Sequence, residues 1–488
     1  MKKMNLTYFA ILLSIFLLIV TNSNAQVGIG TTSPDPSAVL DIASTNKGML
    51  IPRMTTVQRV AITTPASGLV VFDTTINALF YYNSSVWVNA TPSVQTRTNH
   101  KIIKSAADLA TELTAGGGTK YLLTTNTLYE INGAVSLAFP IELNNAYILG
   151  RDTNEDILVR AGGTIFTGTT GGSVKGITLT APGGTVFALS GANTENLIFR
   201  DAIIANSGSV GSISGFGLIF KSVVQYVGNT TGITYSNITS LLLADLGWSD
   251  SNGGTYETYT GTFTLIQKVS GFMNANGTVV AIDVSSNPTV TNGVLLSTAF
   301  SGTSTQFINK YTVGTFAGYN FTNAWTVNCP GIPQESDNTA SANIYYNGGI
   351  TTGFVQTVSN GSELNLTGNS GSNTTTAVNM FRSTSPQNNR ITYTGKKTRT
   401  FQINAALSVR GNSGTGDYYA FFIKKNGTTS LVETNSLMRV NNTADISSQS
   451  ISGTVELAPN DYVEIWGQRL VGSGTTSITV FSLNLSIK

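Results

Sequence analysis

Short apolar runs recur along the middle of this 488-residue chain at a nearly constant interval. Ile177-Thr178-Leu179 is followed by Leu197-Ile198-Phe199, Leu218-Ile219-Phe220 and Leu241-Leu242-Leu243, with starts 20, 21 and 23 residues apart. Glycine and asparagine fill the intervals. A run this short cannot bury a core alone, but stacking each coil on the next joins the runs into one. Residues 98–331 are therefore predicted to form a β-solenoid. Leu265, Val279-Val280-Ala281-Ile282 and Val294-Leu295-Leu296 continue it less regularly. A second jelly roll is the alternative for this segment. Residues 105–113 are predicted to form a helix, with Ser105 as cap and Asp108 at its third position, plugging the open end.

The helix and the following Tyr121-Leu122-Leu123 and Ile148-Leu149-Gly150 resemble the start of right-handed β-helices of the phage tailspike type. Composition agrees with a β-rich scaffold. The chain is 41% hydrophobic, enough to bury a core, but only 11% charged, against about 25% in ordinary globular chains. Fifty glycines and abundant Ser, Thr and Asn take the place of charge, as turns and solvent-facing strand positions require. The formal charge of +2 is matched by Lys2 and Lys3 in the leader, so the mature chain is neutral. No basic patch points to nucleic acid.

Residues 1–25 read as a signal peptide: Lys2 and Lys3, an apolar core over 9–20, then Ser23-Asn24-Ala25 before Gln26. The apolar run is too short for a comfortable membrane span, and no cysteine follows to carry a lipid. Export to the extracellular space or outer cell surface is expected, with no membrane span. Cys329 is the only cysteine, so no intrachain disulfide forms; a buried, inert thiol is expected. His100 is the only histidine, which excludes His-based triads and His-rich metal sites. No cofactor is called for.

Residues 26–97 form a separate small module. It runs through Val27-Gly28-Ile29-Gly30-Thr31-Thr32-Ser33-Pro34, Ala38-Val39-Leu40-Asp41-Ile42, Lys47-Gly48-Met49-Leu50-Ile51-Pro52-Arg53-Met54 and Gly68-Leu69-Val70-Val71-Phe72-Asp73. It closes on Leu79-Phe80-Tyr81-Tyr82 and Val86-Trp87-Val88. This series resembles the N-terminal module of many secreted proteins of Bacteroidota, and related stretches of phage tail fibres. The resemblance implies attachment or assembly at a surface, not chemistry. Gly28-Ile29-Gly30 lacks the third glycine and the βαβ surroundings of a dinucleotide loop.

Residues 332–488 alternate as strands. Phe401, Ile403, Ala405, Leu407 and Val409 mark a half-buried strand, and Phe481, Leu483, Leu485 and Ile487 the last one. Residues 359–385 are expected to carry long loops. In 418–423 and 462–466 bulky residues occupy both faces: Tyr419, Phe421, Ile423, Val463 and Ile465 on one, Tyr418, Phe422, Tyr462 and Trp466 on the other. A sandwich strand faces only one core, so the second set is expected to meet another protomer. This stretch resembles the trimeric jelly rolls of the tumour-necrosis-factor and complement type found at phage fibre tips, which implies a homotrimer. The expected fold is all-β: a small N-terminal module, a right-handed parallel β-helix and a C-terminal jelly-roll sandwich.

Two constellations bear on chemistry. Asp201 follows Leu197 by four residues and Asp245 follows Leu241 by four, with Ser222 expected at the same place on the coil between. Stacked coils would set the acids roughly 10 Å apart, near the upper limit for an inverting glycosidase pair. The competing account is that both sit at turns, where Asp is common. Trp248, Tyr256 and Tyr259 are expected on an excursion between coils, where they could stack on sugar rings or pack against the shaft. Asp245 and Asp250 fit no calcium-loop spacing, so no metal site is expected. The expected function is a non-enzymatic, fibre-like surface protein for adhesion or glycan recognition. A polysaccharide-degrading β-helix and a phage tail fibre or spike are the alternatives.

Overall fold

The structure, a computed structural model, describes residues 6–17, 26–90, 98–368 and 374–488. The expected cleavage motif Ser23-Asn24-Ala25 lies outside the described residues. Helix α1 spans Leu6–Leu17. Among the described residues no helix is long and apolar enough to cross a membrane. The chain divides into two units, Met1–Thr98 and Asn99–Lys488.

In the first unit, strands β1 (Val27–Ile29) and β2 (Leu40–Ile42) pair in parallel as a two-stranded sheet of their own. Gly30 turns at φ +77°, and a Cβ there would lie 2.1 Å from the carbonyl oxygen of Ala43. The Gly-Ile-Gly motif thus serves backbone approach within this pair. A separate four-stranded sheet follows, made of β3 (Arg53–Met54), β4 (Val70–Asp73), β5 (Ala78–Tyr82) and β6 (Trp87–Asn89). Helix α2 (Thr56–Val60) starts on a reciprocal cap between Thr55 and Gln58. It delivers Arg59 into the core, 2.9 Å from the buried Asp73 and over the ring of Phe80 at 4.0 Å. Burial pushes the Asp73 carboxyl up, but hydrogen bonds from Arg59, Thr56 and the Ile76 and Thr75 amides outweigh it and hold the pKa at about 2. Because the folded value lies below the usual one, the stability this contact adds is complete above pH about 4 and lost as pH falls towards 2. Acid titration followed by Trp87 fluorescence should show a transition in that window, which Asp73→Asn should remove.

In the second unit, parallel strands from His100–Ile103 to Trp325–Asn328 stack into a β-helix of about nine turns. Leu197 lies beside Ile219, Ile219 beside Leu241, Leu241 beside Ile266, Ile266 beside Gly293, and Gly293 beside Trp325. The coil therefore lengthens towards its C-terminal end. The cap is a 3-10 turn, Ala106–Leu109, followed by an α-helix, Ala110–Ala115. Asp108 accepts the amides of Lys104 and Ser105 at 2.8 and 2.9 Å. Leu109 is buried in the solenoid core. At one inner corner Asn229 accepts the Ser207 amide at 3.1 Å, and Asn252 accepts the Asn229 amide at 3.0 Å. Each side chain satisfies a backbone donor of a neighbouring coil, as a buried corner demands.

Two six-stranded antiparallel sheets form the C-terminal sandwich. The first contains Ser341–Asn347, Phe354–Ser359, Thr376–Phe381, Arg399–Gly411, Ser447–Leu457 and Thr475–Ile487. The second contains Glu363–Asn365, Ser383–Thr384, Ile391–Tyr393, Tyr418–Lys425, Thr429–Arg439 and Tyr462–Val471. The stretch expected to be loops thus contributes strands. Phe401, Ile403, Leu407, Tyr419, Phe421, Val463 and Ile465 meet between the sheets. A register shift at Ser408/Val409 turns Val480 inward in place of Phe481, which lies outside this core beneath Arg410. The sandwich is fastened to the last coil. Buried Arg382 pairs with Asp337 and donates to the carbonyls of Trp325 and Glu335, while Phe381 stacks on Tyr319 at 3.8 Å. Cys329 is buried, which pushes its thiol up.

Candidate functional site

The solenoid surface carries a groove of about 470 Å³ at a corner shared by successive coils. Its walls are hydroxyls, amides and bare backbone: Ser190, Asn193, Ser214, Asn237, Thr239 and Thr264. Ser190 lies directly beside Ser214 in the parallel ladder, so one hydroxyl repeats on the next coil. Asn237 turns the corner at φ 52° and accepts the Thr262 amide at 3.0 Å. Among the described residues no charged group lines the groove. It offers hydrogen-bond donors and acceptors at the inter-coil spacing of roughly 4.8 Å. None of these residues stands out in the linear sequence. Aligning the apolar runs coil by coil would have brought Ser190 and Ser214 together.

The two carboxylates stand on a different corner. Arg200 pairs with Ser222 and Ala202 with Val224, so Val223, not Ser222, stacks between Asp201 and Asp245. The inward residue of Leu218-Ile219-Phe220 is Ile219, which moves the register by one. Asp201, Val223 and Asp245 all adopt left-handed backbone, at φ 50°, 53° and 53°. Asp tolerates that conformation through local hydrogen bonding, so backbone geometry explains the acids at this corner. Lys175 lies 3.6 Å from Asp201.

Trp248, Tyr256 and Tyr259 are not on an excursion. All three are buried in the solenoid core. Strands Ile233–Trp248 and Thr255–Val269 carry them, and strict alternation is broken at Tyr256-Glu257, where two successive residues are buried, so both Tyr256 and Tyr259 lie inside. Trp248 stacks on Tyr226 at 3.8 Å and on Tyr256 at 4.9 Å. Beside them lies a buried ionic cluster that the sequence reading missed. Glu257 accepts from Lys268 Nζ at 2.9 Å, Trp248 Nε1 at 3.0 Å and the Tyr259 hydroxyl at 2.5 Å. Lys221 Nζ sits among the rings of Phe187, Phe199, Tyr226 and Tyr235, 4.5 to 5.9 Å from their centroids. Among the described residues it has no hydrogen-bond partner. Desolvation pulls the Lys221 ammonium down to about 7, against the attraction of Glu257.

The outward aromatics of the sandwich are covered within one chain. Phe422, opposite Trp466, is 3% exposed. Lys424 lies 4.3 Å over Trp466 and pairs with Glu363. Arg390 lies 3.7 Å over Tyr462 and pairs with Glu464 at 2.7 Å, and Glu464 accepts Trp466 Nε1 at 3.0 Å. Only Tyr418, 40% exposed, keeps a largely open ring. Cation–π contacts and the stems of long cationic side chains do the covering that a partner subunit was expected to do.

Residues 28–103 match the family described as Phage tail like trimerisation region. No curated protein matches the chain. Among solved structures, Eiger TNF from S. frugiperda is similar at 10% identity and a TM-score of 0.22, over 30% of this chain and 92% of that one. The enzymatically active domain of tailspike protein 4 of bacteriophage CBA120 is similar at 10% identity and 0.21, over 88% and 77%. A tailspike of Acinetobacter baumannii bacteriophage Fri1, described as a capsular polysaccharide depolymerase, is similar at 8% identity and 0.16, over 90% and 98%.

Proposed function

We propose that this chain is a homotrimeric, fibre- or spike-like surface protein that binds glycans without cleaving them. The observation that carries the binding reading is the uncharged groove at Ser190, Ser214 and Thr239. Sugar hydroxyls need donors and acceptors, and coils that repeat them suit a repeating polymer. The trimeric reading rests on the match over residues 28–103. The non-enzymatic reading rests on Asp201 and Asp245, whose left-handed corner accounts for both acids and places Val223 between them. Export through the leader, and attachment at the outer surface by a module like that of secreted Bacteroidota proteins, complete the reading.

The mature protein should bind neutral polysaccharides on a glycan array and release no reducing ends from them. Thr239→Val with Thr264→Val removes two exposed hydroxyls. At about 0.5–1.5 kcal/mol per hydrogen bond, binding should weaken roughly tenfold with no change in melting temperature. Unchanged binding would move the site off the groove. Reducing ends whose release is lost in Asp201→Asn and Asp245→Asn would make the protein a depolymerase.

A further inference from the structure

The pairing of β1 with β2 is not self-sufficient. It is parallel, has two strands, and forms no ladder with the four-stranded sheet. Parallel strands normally lie buried on both faces, and two-stranded sheets are marginal in water. Yet Val27, Ile29, Val39, Leu40 and Ile42 are all exposed. The same module carries a second uncovered, largely apolar surface, a groove of about 560 Å³ lined by Met49, Leu50, Ile51, Val70, Phe72 and Leu79 together with Arg53. Leu50 is 78% exposed. Apolar patches of this kind on a folded module mark contact surfaces. Apart from Val27, both lie within the 28–103 stretch that matches a trimerisation region.

We propose that the β1–β2 pair of one copy docks in the Met49–Leu79 groove of the next copy. The proposal rests on the trimeric reading above and specifies its interface. The strap and the groove are different surfaces of one module, so the contact is heterologous: each copy gives a strap to one neighbour and receives one from the other. Such a contact either closes into a ring or runs on as a filament, and three copies close it. The apolar side chains of the strap then leave water, and the groove supplies the apolar cover that a parallel pair needs.

The test uses the whole mature chain carrying Ile29→Cys and Leu50→Cys together, both at exposed positions, with Cys329→Ala. Light scattering establishes the assembly, and mild oxidation followed by denaturing, non-reducing electrophoresis reads the contact. Covalent trimer is expected, and covalent dimer alone when the two single-cysteine chains are mixed. A trimer by light scattering that yields no covalent dimer or trimer overturns the strap-in-groove contact and leaves the trimeric reading intact. A disulfide formed within one chain, seen as a faster-running monomer, also overturns it. A wild-type monomer at micromolar concentration overturns the trimeric reading itself.

Discussion

Glu257→Ala should lower the stability of the β-helix by about 3–5 kcal/mol, the usual cost of removing one partner from a buried ion pair. Glu257 is fully buried and is the acceptor for Lys268, Trp248 and Tyr259. Without it, Lys268 keeps a charge with no counter-ion, Lys221 loses the carboxylate that attracts it, and two ring donors lose their acceptor. A fall in the denaturant midpoint is the expected result. Glu257→Leu combined with Lys268→Met should recover the part of the loss that comes from the unpaired Lys268 charge, while Trp248 and Tyr259 stay without their acceptor. A single-variant loss below about 1 kcal/mol would show that the cluster is not held together by this carboxylate.

Lys221→Met should have the opposite sign. The Lys221 ammonium is buried among four rings with no hydrogen-bond partner. Replacing a buried charge that forms no ion pair or hydrogen bond among the described residues, and that Glu257 offsets only in part, with an apolar side chain of similar length should stabilise by about 1–4 kcal/mol at pH 6. The pH dependence follows from the lowered pKa of about 7 against an ordinary 10.5. Below pH 7 both folded and unfolded chains carry the proton, and the burial penalty is complete. Between pH 7 and 10 the folded state releases the proton while the unfolded chain keeps it, so wild-type stability rises with pH. Above pH 10 the buried Tyr226, Tyr235 and Tyr259 reverse the trend, because their hydroxyls are pushed well above the ordinary value. The gain from Lys221→Met should therefore be largest at pH 6 and shrink towards pH 10. Thermal melts across that range check it; a gain independent of pH would mean that Lys221 keeps its proton in the folded state throughout.

Much of the fold is local enough to be legible. A coil needs only a short apolar run, a turn, and the same again, so the Leu197, Leu218 and Leu241 triplets announce the solenoid. The sandwich strands declare themselves by alternation from Phe401 to Val409, all buried in the core. The site residues were less legible, for a physical reason. Alternation holds only within one extended segment, and a left-handed residue resets it. In Ile233–Trp248, Leu241 and Leu243 face inward, Asp245 turns at φ 53°, and then Leu246 and Trp248 face inward. Counting across that corner without the reset sends Trp248 outward. The same corner placed Ser222 where Val223 stands, because the first apolar residue of 218–220 is not the inward one.

The sequence by itself determined that coils would stack and sheets would pair, because both follow from the spacing of apolar residues along a few successive positions. It also showed a single histidine, His100, too few for a His-rich metal site. The tertiary structure alone decided what covers each aromatic. Arg390 reaches Tyr462 and Lys424 reaches Trp466 through long side chains whose direction no spacing encodes. It also brought Lys221 together with Glu257 and Lys268, which share the strand Thr255–Val269 two coils further on, in one buried cluster. A strand pattern records which positions face inward. It does not record which charges meet there, because that depends on the register between coils and on the lengths of the corners that join them.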